Sequence, residues 1–201
     1  MKYLVLVLSA LILGACGHGH KKKCDSCGMK PKCESCGMKG MGHKHGGMGP
    51  MAAMPTQAAA ILNPIGKGKV TGSVQMVAAE GMSVRITYNV KGLKKNQSHG
   101  IHIHEFGDCT SADGAAAGGH FNPTSAPHAG PDAAAKHMGD LGNLTANGKG
   151  EATGEILVAG TNLHLLVGRS LIVHAGPDDL TSQPAGNSGD RVACGVIGVT
   201  R

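Results

Sequence analysis

Residues 100–109 read GIHIHEFGDC, and this stretch places two imidazoles two positions apart between isoleucines. In a β-strand, residues i and i+2 point to the same face, so His102 and His104 share one face and the isoleucines occupy the other. Two neutral imidazoles on one rigid face can form half of a metal site. The pattern alone is equally typical of a histidine pair on a solvated strand face, but the residues downstream favour the metal site.

Further candidate ligands follow in a segment rich in Gly, Pro and Ala, and one more ends an apolar run. Such a loop has too few apolar residues to be ordered by packing, so we expect metal binding to order it. Three histidines and one aspartate fit a tetrahedral zinc site, and four histidines suit Cu(II). We call these the zinc set (His120, His128, His137 and Asp140) and the copper set (His102, His104, His120 and His174). His120 belongs to both sets, because a deprotonated imidazole can bridge two metals through its two ring nitrogens.

The chain from residue 69 onward has the pattern of an all-β fold. Residues 82–90 alternate apolar and polar side chains, which predicts a half-buried strand. No helical stripe of useful length appears, and Gly and Asn cluster between the strand-like runs. The pattern predicts an antiparallel sandwich or barrel with two long non-strand stretches at residues 109–143 and 176–190. The further strand-like runs are residues 70–77, 100–105, 151–157, 170–174 and 192–199.

Six segments, in this order, resemble the signature segments of the copper/zinc superoxide dismutase family. They read GIHIHEFGDC, GGHFNP, HAGP, KHMGDLGN, GRSLIVHAGPDD and GDRVACGVIG, and they span the chain from residue 66 to its C-terminus. The resemblance implies a flattened Greek-key antiparallel β-barrel whose two long loops bind metal and line the active site. It also implies the dismutation of superoxide to dioxygen and hydrogen peroxide, with copper and zinc as cofactors.

The resemblance assigns a role to each candidate ligand. His120 matches the bridging imidazolate between the two metals, and His99 matches a structural position, so we do not predict it to be a ligand. The remaining matches are His102, His104 and His174 for copper and His128, His137 and Asp140 for zinc.

Four residues outside the ligand sets also match family positions. Asp178 matches the carboxylate that links a copper ligand to a zinc ligand and so fixes ring orientation. Arg191 matches the guanidinium beside the open copper position, where it would dock the superoxide anion. We therefore predict His120 and Arg191 to be catalytic. Cys109 and Cys194 match the family's disulfide.

The first 15 residues are predicted to be a signal peptide, with a charged start and a short apolar run. The LGAC ending resembles a bacterial lipobox, in which Cys16 would be acylated. The alternative is an ordinary signal peptide that happens to be cleaved before a cysteine. We therefore predict a periplasm-facing lipoprotein of the bacterial cell envelope, anchored in the membrane by lipid. Gly17 favours the outer membrane.

Residues 16–60 are predicted to form a Cys/His/Met-rich tail that is disordered, or ordered only around metal. CDSCGMK at residues 24–30 is repeated as CESCGMK at residues 33–39. The four thiolates favour Cu(I) or Zn(II), so we predict a tail site that captures copper for a dismutase domain at residues 61–201. The alternative is a flexible spacer with two small disulfide loops. The predicted tail ligands are Cys24, Cys27, Cys33 and Cys36.

The formal net charge of +6 comes from the tail. Residues 1–50 carry eight lysines and two acidic residues, whereas residues 51–201 carry eleven basic and eleven acidic residues. The domain therefore has no overall charge to attract superoxide. Steering must be local, and the candidates are Arg191 first and Lys136 second. The absence of Trp, and of any tail aromatic after Tyr3, argues against nucleic-acid binding.

A second function class is a copper-buffering lipoprotein whose dismutase-like domain is not catalytic. The Cys/His/Met-rich tail motivates this alternative, and the complete ligand sets with Arg191 argue against it. Bacterial members of the family occur as monomers and as dimers, so the resemblance leaves a homodimer open.

Overall fold

The computed structural model describes residues 54–200, and the predictions for the signal peptide, Cys16 and the four tail cysteines lie outside them. The only helical elements in the described range are a 3-10 turn at Ala115–Ala117 and the one-turn helix α1 (Leu163–Leu166). No helix within residues 54–200 has the length and apolar character needed to cross a membrane. The strands are β1 (Gln57–Pro64), β2 (Thr71–Ala79), β3 (Ser83–Lys91), β4 (Ser98–His104), β5 (Asp140–Thr145), β6 (Glu151–Ala159), β7 (Ser170–His174), β8 (Arg191–Val196) and β9 (Gly198–Val199).

All strand pairs are antiparallel, and together they form a nearly closed barrel. The strand order is β5-β4-β7-β8-β1-β2-β3-β6, with β9 paired to β1. The end strands β5 and β6 contact each other without a ladder. The connections from β3 to β4 and from β6 to β7 lead to strands that are not neighbours, as in a Greek key. The predicted all-β antiparallel barrel is confirmed.

Two strands were not predicted, β1 and β5. β1 reads QAAAILNP, and its buried side chains are Ala58, Ala60 and Leu62, so small alanines conceal the alternation. β1 begins at Gln57, before the predicted domain start at residue 61. β5 reads DLGNLT and lies partly inside the stretch predicted to be loop, because its glycine weakens the strand pattern.

The barrel interior is aliphatic. Val74, Met76, Val84 and Ile86 on the central strands β2 and β3 are fully buried. Burying one such side chain contributes roughly 1.5–3 kcal/mol, so this row of side chains holds the barrel together. Aromatic side chains contribute little to this interior. Phe121 is one that does, and it is buried at the barrel edge.

β4 positions the functional site because both of its faces are buried. Ile101 and Ile103 belong to the barrel core, whereas His102 and His104 alternate with them and lie on the opposite face. Two segments cover that face, and we call them the long loop (residues 105–139) and the short loop (residues 175–190). The histidines are thus held on a rigid strand beneath two loops.

The predicted disulfide is present and ties the long loop to the barrel. Cys109 lies near the start of the long loop and Cys194 lies in β8, with their Cα atoms 5.7 Å apart and a sequence separation of 85. In the chain-entropy model a bridge of this span stabilises the fold by roughly 4–5 kcal/mol.

Candidate metal centre

The copper set converges from three parts of the fold. His102 and His104 come from β4, and His174 is the last residue of β7. His120 is brought to them by an isolated antiparallel bridge with His104. Each of the four rings offers one nitrogen, and these nitrogens lie within 4.8 Å of one another in a fully buried group.

In three of these imidazoles, one ring nitrogen makes a hydrogen bond that fixes the orientation of the ring. His104 Nδ1 donates to the Gly118 carbonyl at 3.0 Å, and His174 Nδ1 donates to the Gly189 carbonyl at 3.1 Å. His102 uses Nε2 instead and donates to Asp178 Oδ2 at 2.8 Å. Each bond places the proton on one nitrogen and leaves the other as a lone-pair donor for a metal.

The nitrogens that remain are buried and, within the described residues, have no hydrogen-bond partner. They are His102 Nδ1 and the Nε2 atoms of His104, His120 and His174. An unsatisfied buried polar group costs about 1–3 kcal/mol, so four of them facing one point would be unfavourable without a cation. The residues therefore fit a copper ion with four nitrogen ligands.

Burial keeps three rings of the copper set neutral, those of His102, His104 and His174. It lowers the pKa of His102 to about 4, although the hydrogen bond with Asp178 opposes it, and lowers the pKa of His174 to about 3. Burial also lowers the pKa of His104 to about 2. All three imidazoles are therefore uncharged at pH 7, which is the form that binds metal.

The zinc set surrounds one carboxylate oxygen. Asp140 Oδ1 lies 2.8 Å from His120 Nδ1, 3.0 Å from His128 Nδ1 and 3.1 Å from His137 Nδ1. The Nδ1 atoms of His120 and His137 are 3.5 Å apart. Ligands about 2.0–2.1 Å from a tetrahedral zinc ion lie about 3.3 Å from one another, so these spacings fit zinc.

Asp140 is held as a carboxylate. Its Oδ2 accepts hydrogen bonds from the main-chain N–H groups of Ala129 and His137, at 3.2 Å and 3.0 Å. Burial by itself raises the pKa of this carboxyl, but the hydrogen bonds from His120 and Ala129, together with the neighbouring imidazoles, outweigh burial and hold the pKa well below its usual range. The zinc set thus includes one negative charge at neutral pH.

Asp178 connects the two sets by a route separate from His120. Its Oδ2 accepts from His102 Nε2 at 2.8 Å and its Oδ1 accepts from His128 Nε2 at 3.0 Å, and all three side chains are fully buried. Burial raises the pKa of Asp178, but the hydrogen bonds from His102, Leu180 and His128 outweigh it and lower the pKa. One carboxylate therefore orients a ring of each set.

Asn143 is a supporting residue that the sequence analysis missed. Its side-chain amide donates to the Asp178 carbonyl at 2.9 Å and accepts from the Asp178 N–H at 2.7 Å. It lies in the quoted segment KHMGDLGN, three positions after Asp140, but nothing in that segment points to a partner 35 residues away.

Arg191 begins β8 beside His174, with which it pairs at the end of the β7–β8 ladder. Its two terminal nitrogens donate to the carbonyls of Gly114 and Gly118 in the long loop, at 2.5 Å and 2.6 Å. The guanidinium is half-buried and lines a cavity of about 560 Å³ that it shares with Asp113 and Gly189. Burial lowers the pKa of Arg191 while Asp113 opposes that shift, and the group stays charged.

A second cavity lies beside His174 of the copper set. It has a volume of about 440 Å³, and both His174 and Gly189 line it. Gly189 lines both this cavity and the cavity beside Arg191.

Lys136 and His99 lie elsewhere. Lys136 lines a cavity of about 540 Å³ on the side of His137 and Asp140, and its Nζ is 3.4 Å from the main-chain oxygens of both. His99 is buried, and its Nδ1 donates to the His174 carbonyl at 2.8 Å. Neither residue belongs to the two ligand groups.

Comparisons with known proteins agree with the geometry. The model of the copper/zinc superoxide dismutase family matches residues 70–197. The chain is 41% identical over 158 residues to the "Superoxide dismutase [Cu-Zn]" of Yarrowia lipolytica, covering 72% of this chain and 98% of that protein. It is 43% identical over 148 residues to the protein of that name from Cordyceps militaris, covering 67% and 93%. With the one from Paramecium bursaria Chlorella virus 1 it shares 40% identity over 156 residues, covering 73% and 80%.

Proposed function

The chain belongs to the copper/zinc superoxide dismutase family, and from this premise we propose that it converts superoxide to dioxygen and hydrogen peroxide in the bacterial cell envelope. Two superoxide ions and two protons give one molecule of each product. The observation that carries the proposal is that four buried imidazole nitrogens of the copper set converge without a hydrogen-bond partner among the described residues.

When bound, copper supplies the one-electron chemistry and zinc supplies a fixed positive charge beside His120. The chain's own residues bind the substrate and handle protons. Arg191 offers a guanidinium whose two carbonyl partners fix its position, and its remaining N–H donors can dock an anion by charge-assisted hydrogen bonds. His120 Nε2 is the buried atom at which the chain can hold a proton and return it to the reduced substrate.

Turnover by the metal-loaded full chain tests this activity. We expect superoxide consumption that His104→Ala abolishes, because one ring of the copper set is removed. His164→Ala is the matched control, because His164 is exposed and belongs to neither set. A metal-loaded wild-type chain without turnover would contradict the proposal and favour the copper-buffering alternative.

We propose further that the chain is a lipoprotein acylated at Cys16. The support is the short apolar run and the LGAC ending, together with a disulfide that suits an oxidising compartment. The relatives named above are fungal and viral, and they support only the assignment to the family. In a Gram-negative host, we expect the wild-type chain to incorporate labelled fatty acid and fractionate with the outer membrane, and Cys16→Ser to do neither. An unlabelled wild-type chain would contradict acylation.

We propose that the tail captures copper for the domain. The support is the repeated CxxC pattern of residues 24–39, whose thiolates suit Cu(I). Under copper scarcity, we expect lower copper occupancy when Cys24, Cys27, Cys33 and Cys36 are all changed to serine, a variant that keeps the tail's length. Equal occupancy in this variant and the wild type would contradict capture.

We propose that two copies associate through the surface around Phe106. Phe106 is 58% exposed, and Val196, which is 46% exposed, lies close to the next residue, Gly107. Light scattering should give a dimer mass for the wild type and a monomer mass for Phe106→Glu. Leu157→Glu is the matched control, because Leu157 is equally exposed on β6. A monomeric wild type would contradict this association.

A further inference from the structure

His128 differs from the rest of the zinc set in what holds its main chain. His120 is bridged to β4, and the neighbouring Phe121 N–H donates to the Ile103 carbonyl at 2.8 Å. Asp140 begins β5, and its N–H donates to the His137 carbonyl at 3.2 Å. His128 lies in the middle of the long loop, and within the described residues it makes no hydrogen bond to another backbone group.

The side chain of Gln183 bonds both main-chain groups of His128. The His128 N–H donates to Gln183 Oε1 at 2.8 Å, and Gln183 Nε2 donates to the His128 carbonyl at 2.8 Å. The second N–H of the same amide group donates to the Thr181 carbonyl at 3.1 Å. A primary amide has one oxygen acceptor and two N–H donors, so this pattern fixes which way the amide faces.

The short loop also holds the ring of His128. Asp178 Oδ1 accepts from His128 Nε2 at 3.0 Å, so this loop supplies one partner for the ring and two for the main chain. Gly186 closes the loop over this contact with a φ of +66°. A Cβ at Gly186 would overlap Asp178 Oδ1 and lie 2.6 Å from His128 Nε2, so a larger residue would separate the loop from the ring.

We propose that Gln183 is a positioning residue that sets how tightly the zinc set retains its metal, an inference that rests on the proposed role of His128 as a zinc ligand. The three other members are held close to strands, so His128 is the ligand whose position depends on the short loop. Zinc release therefore requires the two hydrogen bonds of Gln183 to open. The copper set is affected less, because His102 and His104 are embedded in β4.

Gln183→Met tests the inference in the metal-free full chain with its disulfide intact. Methionine preserves the length of the side chain and removes both hydrogen bonds. Loss of a partner that orients a metal ligand weakens binding by 10–100-fold, and we expect about 10-fold because Gln183 is exposed and water can replace part of its role. Zinc affinity and release rate are measured against a competing chelator. With Co(II) in place of zinc, the visible spectrum should lose tetrahedral intensity if His128 moves away.

Thr181→Val is the matched control, because among residues 54–200 the Thr181 hydroxyl bonds only to Asp179 of the same loop, at 3.4 Å. We expect wild-type zinc affinity in Thr181→Val, and wild-type copper affinity in both variants. If Gln183→Met does not fold, Gln183→Asn keeps the amide but withdraws it by one methylene, and we expect the same loss of zinc.

Three results would overturn the inference: wild-type zinc affinity without Gln183, an equal loss in Thr181→Val, or equal losses of copper and zinc. None of these depends on superoxide turnover. An inactive wild-type chain with a Gln183-dependent zinc affinity would refute the proposed function and leave this inference standing.

Discussion

Replacing Asp178 with asparagine should weaken zinc binding more than copper binding. The carboxylate accepts one N–H from His102 and one from His128. Asparagine has nearly the same shape but replaces one acceptor oxygen with an amide NH₂ group. Whichever way the amide is turned, one of the two ring N–H groups then faces a donor instead of an acceptor.

The magnitude follows from burial. A hydrogen bond to a charged group is worth about 1.5–3 kcal/mol, and both rings and the carboxylate are fully buried, so water cannot replace the lost partner. At about 1.4 kcal/mol per factor of ten, this corresponds to a loss of zinc affinity between about 10-fold and 100-fold. The ring of His102 stays in place because β4 is paired on both sides, with β5 and β7, whereas His128 lies in the long loop.

The assay is a competition titration of metal-free full chain with zinc and then with copper. Asp179→Asn is the control, because the exposed Asp179 carboxylate accepts from the main chain of Thr181 and Ser182 inside the short loop and contacts no ligand ring. Unchanged zinc affinity in Asp178→Asn, or the same loss in Asp179→Asn, would refute the reasoning that this carboxylate orients His128.

Four further measurements test the roles of Arg191, Asp113, the disulfide and the buried imidazoles. Arg191→Ile should slow turnover about 10-fold or more and reduce its salt dependence while metal content stays at the wild-type level, because a charge-assisted docking site is lost; unchanged turnover would remove Arg191 from the mechanism. Asp113→Asn should raise the rate at low ionic strength, since Asp113 opposes the positive charge of Arg191; a slower or unchanged rate would contradict this. Changing Cys109 and Cys194 to serine should lower the free energy of unfolding by about 2–5 kcal/mol, as read from denaturant midpoints, and equal midpoints would contradict it. The metal-free chain should lose stability as pH falls below about 6.5. Burial lowers the pKa of three copper-set imidazoles, so below that pH the unfolded chain binds more protons than the folded chain. Urea midpoints that do not change between pH 7 and pH 4 would contradict this.

The strands with regular alternation could be predicted because a local pattern decides them. β3 is an example, since from Val84 to Lys91 its apolar residues are buried or partly buried and its polar residues are exposed. β1 and β5 could not be predicted, because alanine and glycine carry little strand preference of their own. Their strand structure depends on pairing, β1 with β2 and β5 with β4.

The ligand types and their grouping could be predicted because histidine and aspartate in this pattern have few other uses in a loop so poor in apolar residues. The structure brings these side chains into the two expected groups, with His120 in both. The prediction of Asp178 came from the family resemblance, and its hydrogen bonds to His102 and His128 are what such a linking carboxylate requires.

The amides that hold the loops could not be predicted. Asn143 bonds to a main chain 35 residues away and Gln183 to one 55 residues away. Each is a single polar residue in a polar segment, and neither has a periodic partner or a ligand-like spacing. Their roles depend on how the long and short loops meet, which is a tertiary property of the fold.

Anomalous diffraction from crystals of the metal-loaded chain, recorded at the copper and zinc absorption edges, would identify and locate each ion. We predict two different ions, with Nε2 of His120 directed at copper and Nδ1 of the same ring directed at zinc. A single ion, or a His120 ring with either nitrogen directed at anything else in the oxidised protein, would contradict it.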